Sequence, residues 1–171
     1  LHPFEKKYQR IDWDATAAEK NGYPDFMLKE MYEQPSTVRE TIGTRVTAGA
    51  PTQVDGLDFT AAQLQNLHQI YIIGCGTAMH AGLAAKPMFE HLTHIPTQVD
   101  VASEFRYRDP LVDDRTLCIF ISQSGETADT IAALRLAKAA GAATLAVSNV
   151  IGSSITREAD YTVYTHAGPE I

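Results

Sequence analysis

The residues from Ser122 to Thr127 (SQSGET) have the side chains and spacing of a loop that binds an anion. They follow an apolar run at 116–121 and precede a segment rich in Ala and Leu, which predicts a strand, a loop and a helix. Backbone N–H groups at a helix start, with the positive end of its dipole, favour negative charge. The hydroxyl groups of Ser122, Ser124 and Thr127 add donors, and Gly125 lets the backbone come close. These features favour binding of a phosphate monoester.

A second loop of this kind, Gly74-Cys75-Gly76-Thr77-Ala78, follows the apolar run at 70–73. Ligands of open parallel sheets bind at the carboxyl ends of the strands, close to helix N-termini, so the two loops are candidates for one site. A simpler interpretation stays open for each loop alone. Ser and Thr before a helix are often only caps, and Gly after a strand is often only a turn.

Dinucleotide binding is a rival interpretation of the loop at 74–78. Gly74 and Gly76 begin a GxGxxG pattern, but position 79 is Met where the pattern needs Gly. Asp100, at the end of the next predicted strand, stands about where an acid that binds a ribose would be. This match is partial, and it leaves the serine-rich loop without a role.

The elements that must position these loops are predicted from apolar runs separated by helical patterns. Strands are predicted at 70–73, 97–101, 116–121, 143–148 and 161–165, and helices between them at 77–92, 127–140 and 153–159. The central strands are continuously apolar and alternate with helices. This pattern indicates an α/β fold with a parallel sheet covered by helices on both faces.

An N-terminal segment, residues 1–68, is expected to carry helices that pack on a domain formed by residues 69–171. A helix is predicted over 25–33, with Pro35 either kinking it or beginning a second helix. A short amphipathic helix is predicted over 59–67. Because the chain starts with Leu and ends after Ile171, we expect it to be a fragment of a longer protein.

Composition limits the possible partners. The chain has 171 residues, 44% of them hydrophobic, and a net charge of -7, which disfavours nucleic acid or an anionic membrane as the main partner. No apolar stretch approaches the length of a membrane span, and the first residues lack the apolar core of a signal peptide. Cys75 and Cys118 lie in apolar segments, as expected for a reduced, cytosolic protein.

Other chemical sites are less well supported. Cys75 at a helix start could be a nucleophile with a lowered pKa, but no His or Asn stands at a supporting spacing. His80, His91 and His94 are poorly spaced for a metal, and no carboxylate or Cys joins them. We therefore predict neither a metal nor a cofactor.

Several motifs together resemble the first sugar isomerase (SIS) subdomain of the glutamine–fructose-6-phosphate aminotransferase family. The resemblance covers nearly the whole chain, and SQSGET alone indicates a SIS domain. Its motifs are IDWD at 11–14, AAEK at 17–20, FMLKEMYEQP at 26–35, GCGT at 74–77, ASEFRYR at 102–108, SQSGETADT at 122–130, SN at 148–149, GSS at 152–154 and READ at 157–160.

This resemblance implies a SIS-type, flavodoxin-like five-stranded parallel sheet and a phosphosugar ligand, fructose 6-phosphate or glucosamine 6-phosphate. It implies that the phosphate contacts Thr77 and the serine-rich loop, and that the sugar lies beside other residues of the loop at 74–78. The implied phosphate-binding residues are Ser122, Gln123, Ser124, Thr127 and Thr77, and the implied sugar-side residues are Cys75 and Gly76. Glu126 is expected to start the helix without touching the phosphate. Ala78 stands where the family commonly has Ser, and Pro169 where Thr is usual.

The resemblance also implies a cytoplasmic homodimer formed through the isomerase half of the parent enzyme. That enzyme makes glucosamine 6-phosphate from fructose 6-phosphate and glutamine, with a glutaminase domain and a second SIS subdomain that carry the catalytic groups. Those parts do not match this chain, so we expect sugar-phosphate binding without turnover and no catalytic residue here. The alternative is a stand-alone SIS module that senses a phosphosugar.

Overall fold

The structure is a computed structural model, and it describes residues 19–46, 49 and 54–169. The chain divides into two compact units, the first spanning Leu1–Ile42 with His166–Ile171 and the second spanning Gly43–Thr165. The boundary predicted between residues 68 and 69 stays a prediction. The IDWD motif at 11–14 lies outside the described residues.

The first unit contains one long helix, α1 (Phe26–Ile42). Asp25 precedes it, and its Oδ1 accepts a hydrogen bond of 2.8 Å from the backbone N–H of Leu28, as a helix cap does. Pro35 lies inside this helix, which continues to Ile42. The N-terminal helical segment is therefore confirmed, while the expected second helix at Pro35 is absent from this described stretch.

The second unit is built on a five-stranded parallel sheet in the order β2-β1-β3-β4-β5. Its central strands are buried along almost their whole length, which explains why they are apolar at every position. The predicted α/β fold is confirmed. The strands are β1 (Gln69–Gly74), β2 (Thr97–Val101), β3 (Thr116–Ile121), β4 (Ala143–Ser148) and β5 (Tyr161–Tyr164).

Helices cover both faces of this sheet. Alternate residues of β1 point to opposite faces: Tyr71 and Ile73 belong to one hydrophobic core, and Ile70 and Ile72 to the other. The first core contains residues of α4, α5 and α6, and the second contains residues of α3. The helices of this unit are α2 (Ala61–Asn66), α3 (Thr77–Thr93), α4 (Ala102–Phe105), α5 (Ala128–Ala139) and α6 (Ser154–Glu158).

Two elements differ from the sequence-based expectation. Helix α2 begins later than predicted because Thr60 caps it: the backbone N–H of Gln63 donates to Thr60 Oγ1 (3.2 Å), and Thr60 N–H donates to Gln63 Oε1 (2.9 Å). Phe59 stays outside the helix, with its ring centroid 4.0 Å from that of Tyr161. Helix α4 was not predicted; it buries Ala102 and Phe105 completely.

The strand order creates a crevice at the carboxyl ends of β1 and β3. These strands are neighbours, with Gly74 paired to Ile121 at their last residues. Helix α3 leaves β1 toward one face, and α5 leaves β3 toward the other. In doubly wound sheets ligands bind where neighbouring connections diverge in this way.

Candidate functional site

The loop after β3, residues 122–127, is folded around the hydroxyl group of Ser122. Ser122 is buried, and its backbone N–H donates to the carbonyl of Val147 at 3.0 Å. Its Oγ accepts a 3.1 Å hydrogen bond from the N–H of Gly125 and lies 3.1 Å from Thr127 Oγ1. The Ser122 side chain therefore fixes the shape of the loop from inside.

Other donors of this loop remain available to a ligand. Ser124 Oγ accepts from the N–H of Glu126 at 3.2 Å, which leaves the hydroxyl proton of Ser124 free to be donated. The Gln123 side chain is exposed. Among the described residues, no acceptor pairs with the backbone N–H groups of Gln123 and Ser124. These N–H groups can hold negative charge without losing an existing hydrogen bond.

Helix α5 continues directly from this loop and adds its own free donors. Thr127 is the N-cap residue, but neither its side chain nor any other described side chain caps the first turn. The first N–H groups of a helix have no partner within the helix, and the dipole places partial positive charge there. The end of the loop therefore carries free N–H donors with partial positive charge.

The loop after β1 lies beside the loop after β3. A Cβ atom on Gly74 would lie 3.1 Å from the backbone N of Met79 and 3.2 Å from the carbonyl O of Ile121, so glycine permits this close approach. Cys75 Sγ lies 3.9 Å from Thr130 Oγ1 in the first turn of α5. The structure thus brings the two predicted loops together.

Gly76 and Thr77 begin helix α3. Gly76 has a φ of 55° and is the N-cap residue, and no described side chain caps the helix. Both residues are exposed, so neither is committed to the core. The predicted site residues lie at the two loops, all except the buried Ser122 being at least partly exposed, and the role of each one stays a prediction.

Asp100, the ribose-binding candidate of the dinucleotide interpretation, is engaged elsewhere. It is buried, its Oδ2 forms an ion pair with Arg108, and its Oδ1 accepts from the N–H of Val101 at 2.9 Å. A carboxylate with these partners has little capacity left for a ribose. The structure therefore favours an anion site over a dinucleotide site.

An ion pair beside the loop offsets an acidic side chain of α5. Arg106 Nη1 lies 2.7 Å from Oδ1 of Asp129, in the first turn of that helix. The guanidinium of Arg106 also lies over the ring of Tyr107, 4.7 Å from its centroid. Arg106 thereby reduces the negative charge that Asp129 places near the anion-binding loop.

The two cysteine side chains differ in burial, with Cys75 partly exposed and Cys118 buried. Cys75 and Cys118 are free thiols. Burial raises the pKa of Cys118 to about 12, so this thiol stays protonated. Within the described ranges, no group of three or more His, Cys, Asp or Glu side chains could hold a metal ion. None of the helices in that part of the chain is long and apolar enough to cross a bilayer.

Glu126 differs from its expected position. Helix α5 begins at Ala128, so Glu126 does not start it. Its Oε1 instead accepts a 2.7 Å hydrogen bond from the backbone N–H of Ser154, at the start of α6. The hydrogen bonds from Ser154 lower the pKa of the Glu126 carboxyl, so it is ionised at neutral pH. The GSS motif at 152–154 was the sequence signal for this partner, although its role could not be inferred.

With this geometry in place, comparison with known proteins identifies the fold family. Residues 63–171 match the family described as the SIS domain. The chain belongs to the SIS domain family. The resemblance predicted from the motifs is thereby confirmed at the level of the family.

This SIS domain is similar to parts of much longer enzymes. It is 56% identical over 167 residues to the glutamine–fructose-6-phosphate aminotransferase (isomerizing) of Clostridium acetobutylicum. This alignment covers 98% of this chain and 28% of that protein. The enzyme of the same name from Clostridium tetani is 52% identical over 166 residues, covering 97% and 27%. The chain therefore spans less than a third of the length of these relatives.

A solved structure supports the same relationship. The C-terminal domain of glucosamine-fructose-6-phosphate aminotransferase from Francisella tularensis matches with a TM-score of 0.79 and 42% identity. The match covers 90% of this chain and 43% of that chain. The SIS fold assigned to this protein therefore agrees with an experimental structure of a close relative.

Proposed function

We propose that this SIS domain binds the phosphate group of fructose 6-phosphate or glucosamine 6-phosphate in the crevice between the loops after β1 and β3. The observation that carries the proposal is the set of free backbone N–H groups on Gln123 and Ser124, in a loop that runs into the uncapped first turn of α5. Such a set of donors suits a doubly charged anion.

Each predicted residue has a role in this proposal. Gln123 and Ser124 donate backbone N–H groups to the phosphate, and Ser124 also donates its hydroxyl. If Ser122 donates its proton to Thr127 Oγ1, the Thr127 hydroxyl proton is directed to the ligand. Thr77 completes the phosphate contacts from the start of α3. Cys75 and Gly76 line the sugar side, as the resemblance implies.

We further propose that the chain is the phosphosugar-binding part of a glutamine–fructose-6-phosphate aminotransferase. The identity of 56% to the Clostridium acetobutylicum enzyme supports this assignment. Moving a proton between sugar carbons needs a base within hydrogen-bond reach of the substrate. We assign that base and ammonia release to parts of the enzyme beyond the matched region, so this chain binds the sugar without turnover.

The cellular setting follows from the same relationship. We propose a cytoplasmic enzyme that is a homodimer through its isomerase half. Free thiols at Cys75 and Cys118 support a reducing compartment. Sedimentation of the whole enzyme at several concentrations tests the dimer, and a single monomeric species at all of them would contradict it.

Calorimetric titration tests the binding proposal. We expect glucosamine 6-phosphate to bind and glucosamine, which lacks the phosphate, to bind far more weakly. Ser124→Ala and Thr127→Ala should each weaken binding by about tenfold or more, since a hydrogen bond to a charged group contributes ~1.5–3 kcal/mol. Gln98→Ala, at an exposed position of β2, serves as a control that leaves affinity unchanged. Equal affinity in the wild type and both site variants would contradict the assignment.

A further inference from the structure

The anion-binding loop is held in place by residues 148–155, which run from the last residue of β4 to the start of α6. The carbonyl of Gln123 accepts the backbone N–H of Asn149 at 3.0 Å and the hydroxyl of Ser148 at 3.2 Å. The carbonyl of Gly125 accepts the N–H of Ile155 at 3.0 Å. Two carbonyl groups of the loop, those of Gln123 and Gly125, are therefore directed toward this segment and not toward a bound anion.

Glu126 is the acidic residue of this loop, and its carboxylate is held by the same segment. Its Oε1 accepts from the N–H of Ser154 at 2.7 Å. Arg157 of α6 donates to Ser154 Oγ at 3.0 Å, and its positive charge also lowers the pKa of Glu126. The Glu126 side chain is exposed, so it adds nothing to the hydrophobic core.

We propose that Glu126 is a positioning residue for the anion site, acting as a hydrogen-bond acceptor that fixes the loop to the start of α6. This inference rests on the phosphate-binding function proposed above. With Glu126 attached to Ser154, the adjoining N–H groups of Gln123 and Ser124 stay in one arrangement before the ligand arrives. A preorganised loop avoids an ordering cost on binding.

The negative charge of Glu126 has the opposite effect, because it repels a phosphate in the neighbouring crevice. Two substitutions separate the charge from the acceptor. Glu126→Gln removes the charge but keeps an oxygen that accepts from Ser154, whereas Glu126→Ala removes both. The proposal predicts that Glu126→Gln binds glucosamine 6-phosphate at least as tightly as the wild type. It predicts that Glu126→Ala binds about fivefold more weakly, within the range for one lost hydrogen bond.

Glu158 provides a matched control on α6, the helix whose first residue contacts Glu126. It is a partly exposed glutamate whose carboxylate accepts from Arg135 Nε (2.7 Å) and Nη2 (2.6 Å) and makes no contact with the loop among the described residues. Glu158→Ala removes a carboxylate from α6, and we expect it to leave the affinity for glucosamine 6-phosphate unchanged. This variant tests whether a loss of stability in α6 is enough by itself to weaken phosphosugar binding.

The experiment combines calorimetry with amide hydrogen exchange on the whole chain. We expect the Ser154 amide to exchange faster in Glu126→Ala than in the wild type, and Glu126→Gln to restore slow exchange. The positioning role is overturned if the wild type binds glucosamine 6-phosphate and the affinity of Glu126→Ala is within about twofold of the wild-type affinity. It is also overturned if Glu126→Gln is as weak as Glu126→Ala, or if Glu158→Ala weakens binding equally. A wild type that binds no phosphosugar would instead refute the proposed function.

Discussion

Replacing Gly125 with Ala tests how tightly the anion-binding loop packs against its neighbours. An alanine Cβ there would lie 2.0 Å from Ser153 Oγ, 2.5 Å from Ser153 Cβ and 3.0 Å from Ile155 Cγ2. Ser153 and Ile155 are themselves buried, so they have little room to move. Gly125 also has a φ of 68°, in the left-handed region that favours glycine.

The size of the effect follows from two costs. Placing a residue with a Cβ in the left-handed region costs about 1–2 kcal/mol. Forcing a methyl group into a packed site costs about 1–3 kcal/mol more. We therefore expect Gly125→Ala to lower the free energy of unfolding by about 2–5 kcal/mol and to weaken phosphosugar binding, because the loop must shift.

Gly141→Ala is the matched control for this prediction. Gly141 follows helix α5 with a φ of 92°, and a Cβ added there would come no closer than 3.8 Å to its nearest neighbour, Asp114. It should therefore show the backbone cost of about 1–2 kcal/mol alone. Urea unfolding followed by circular dichroism measures both free energies. If Gly125→Ala costs no more than Gly141→Ala, the contact between the loop and residues 153–155 is not as close as described.

Three further predictions concern charge and hydrogen bonding around the crevice. Ala78→Ser should tighten glucosamine 6-phosphate binding by up to about tenfold, since it adds a hydroxyl next to Thr77 at the start of α3; calorimetry that shows no gain would refute this. Arg106→Ala should weaken phosphosugar binding a few-fold, because it leaves the charge of Asp129 unpaired. Adding Asp129→Asn should restore the affinity, and a double variant that still binds weakly would contradict the charge explanation. Hydrogen bonds from Arg135 lower the pKa of Glu158, so its contribution to stability is present above the ordinary carboxyl pKa and is lost as the pH falls through the lowered value. In urea unfolding, the free energy of unfolding should decrease less between pH 7 and pH 3.5 for Glu158→Gln than for the wild type. An equal decrease in both proteins would refute this.

The strands and the two loops could be predicted because their causes are local. The run TLCIFI at 116–121 is apolar at every position because β3 is covered on both faces, and this is visible in the sequence itself. The polar residues that follow mark the end of the strand equally clearly. Since the carboxyl ends of parallel strands share one edge, the pattern alone placed both loops on the same side of the sheet.

The features that escaped prediction depend on contacts between distant parts of the chain. Glu126 was expected to start α5 because it precedes a helical pattern, yet its partner Ser154 lies 28 residues further on. Pro35 was expected either to kink the N-terminal helix or to begin a second one, and α1 continues through it as one helix. Helix α4 spans only 102–105, and its main support is the burial of Phe105, which no local periodicity reveals.

The divergence of α3 and α5 from neighbouring strands has a mechanical consequence. Each helix belongs to a different hydrophobic core, and the sheet separates the two cores. A small molecule bound by the first turns of both helices would connect the two layers directly at the edge of the sheet, in addition to the strands that lie between them. Ligand binding in the crevice would then stabilise both sides of the domain together, so that the two layers would unfold in a single thermal transition.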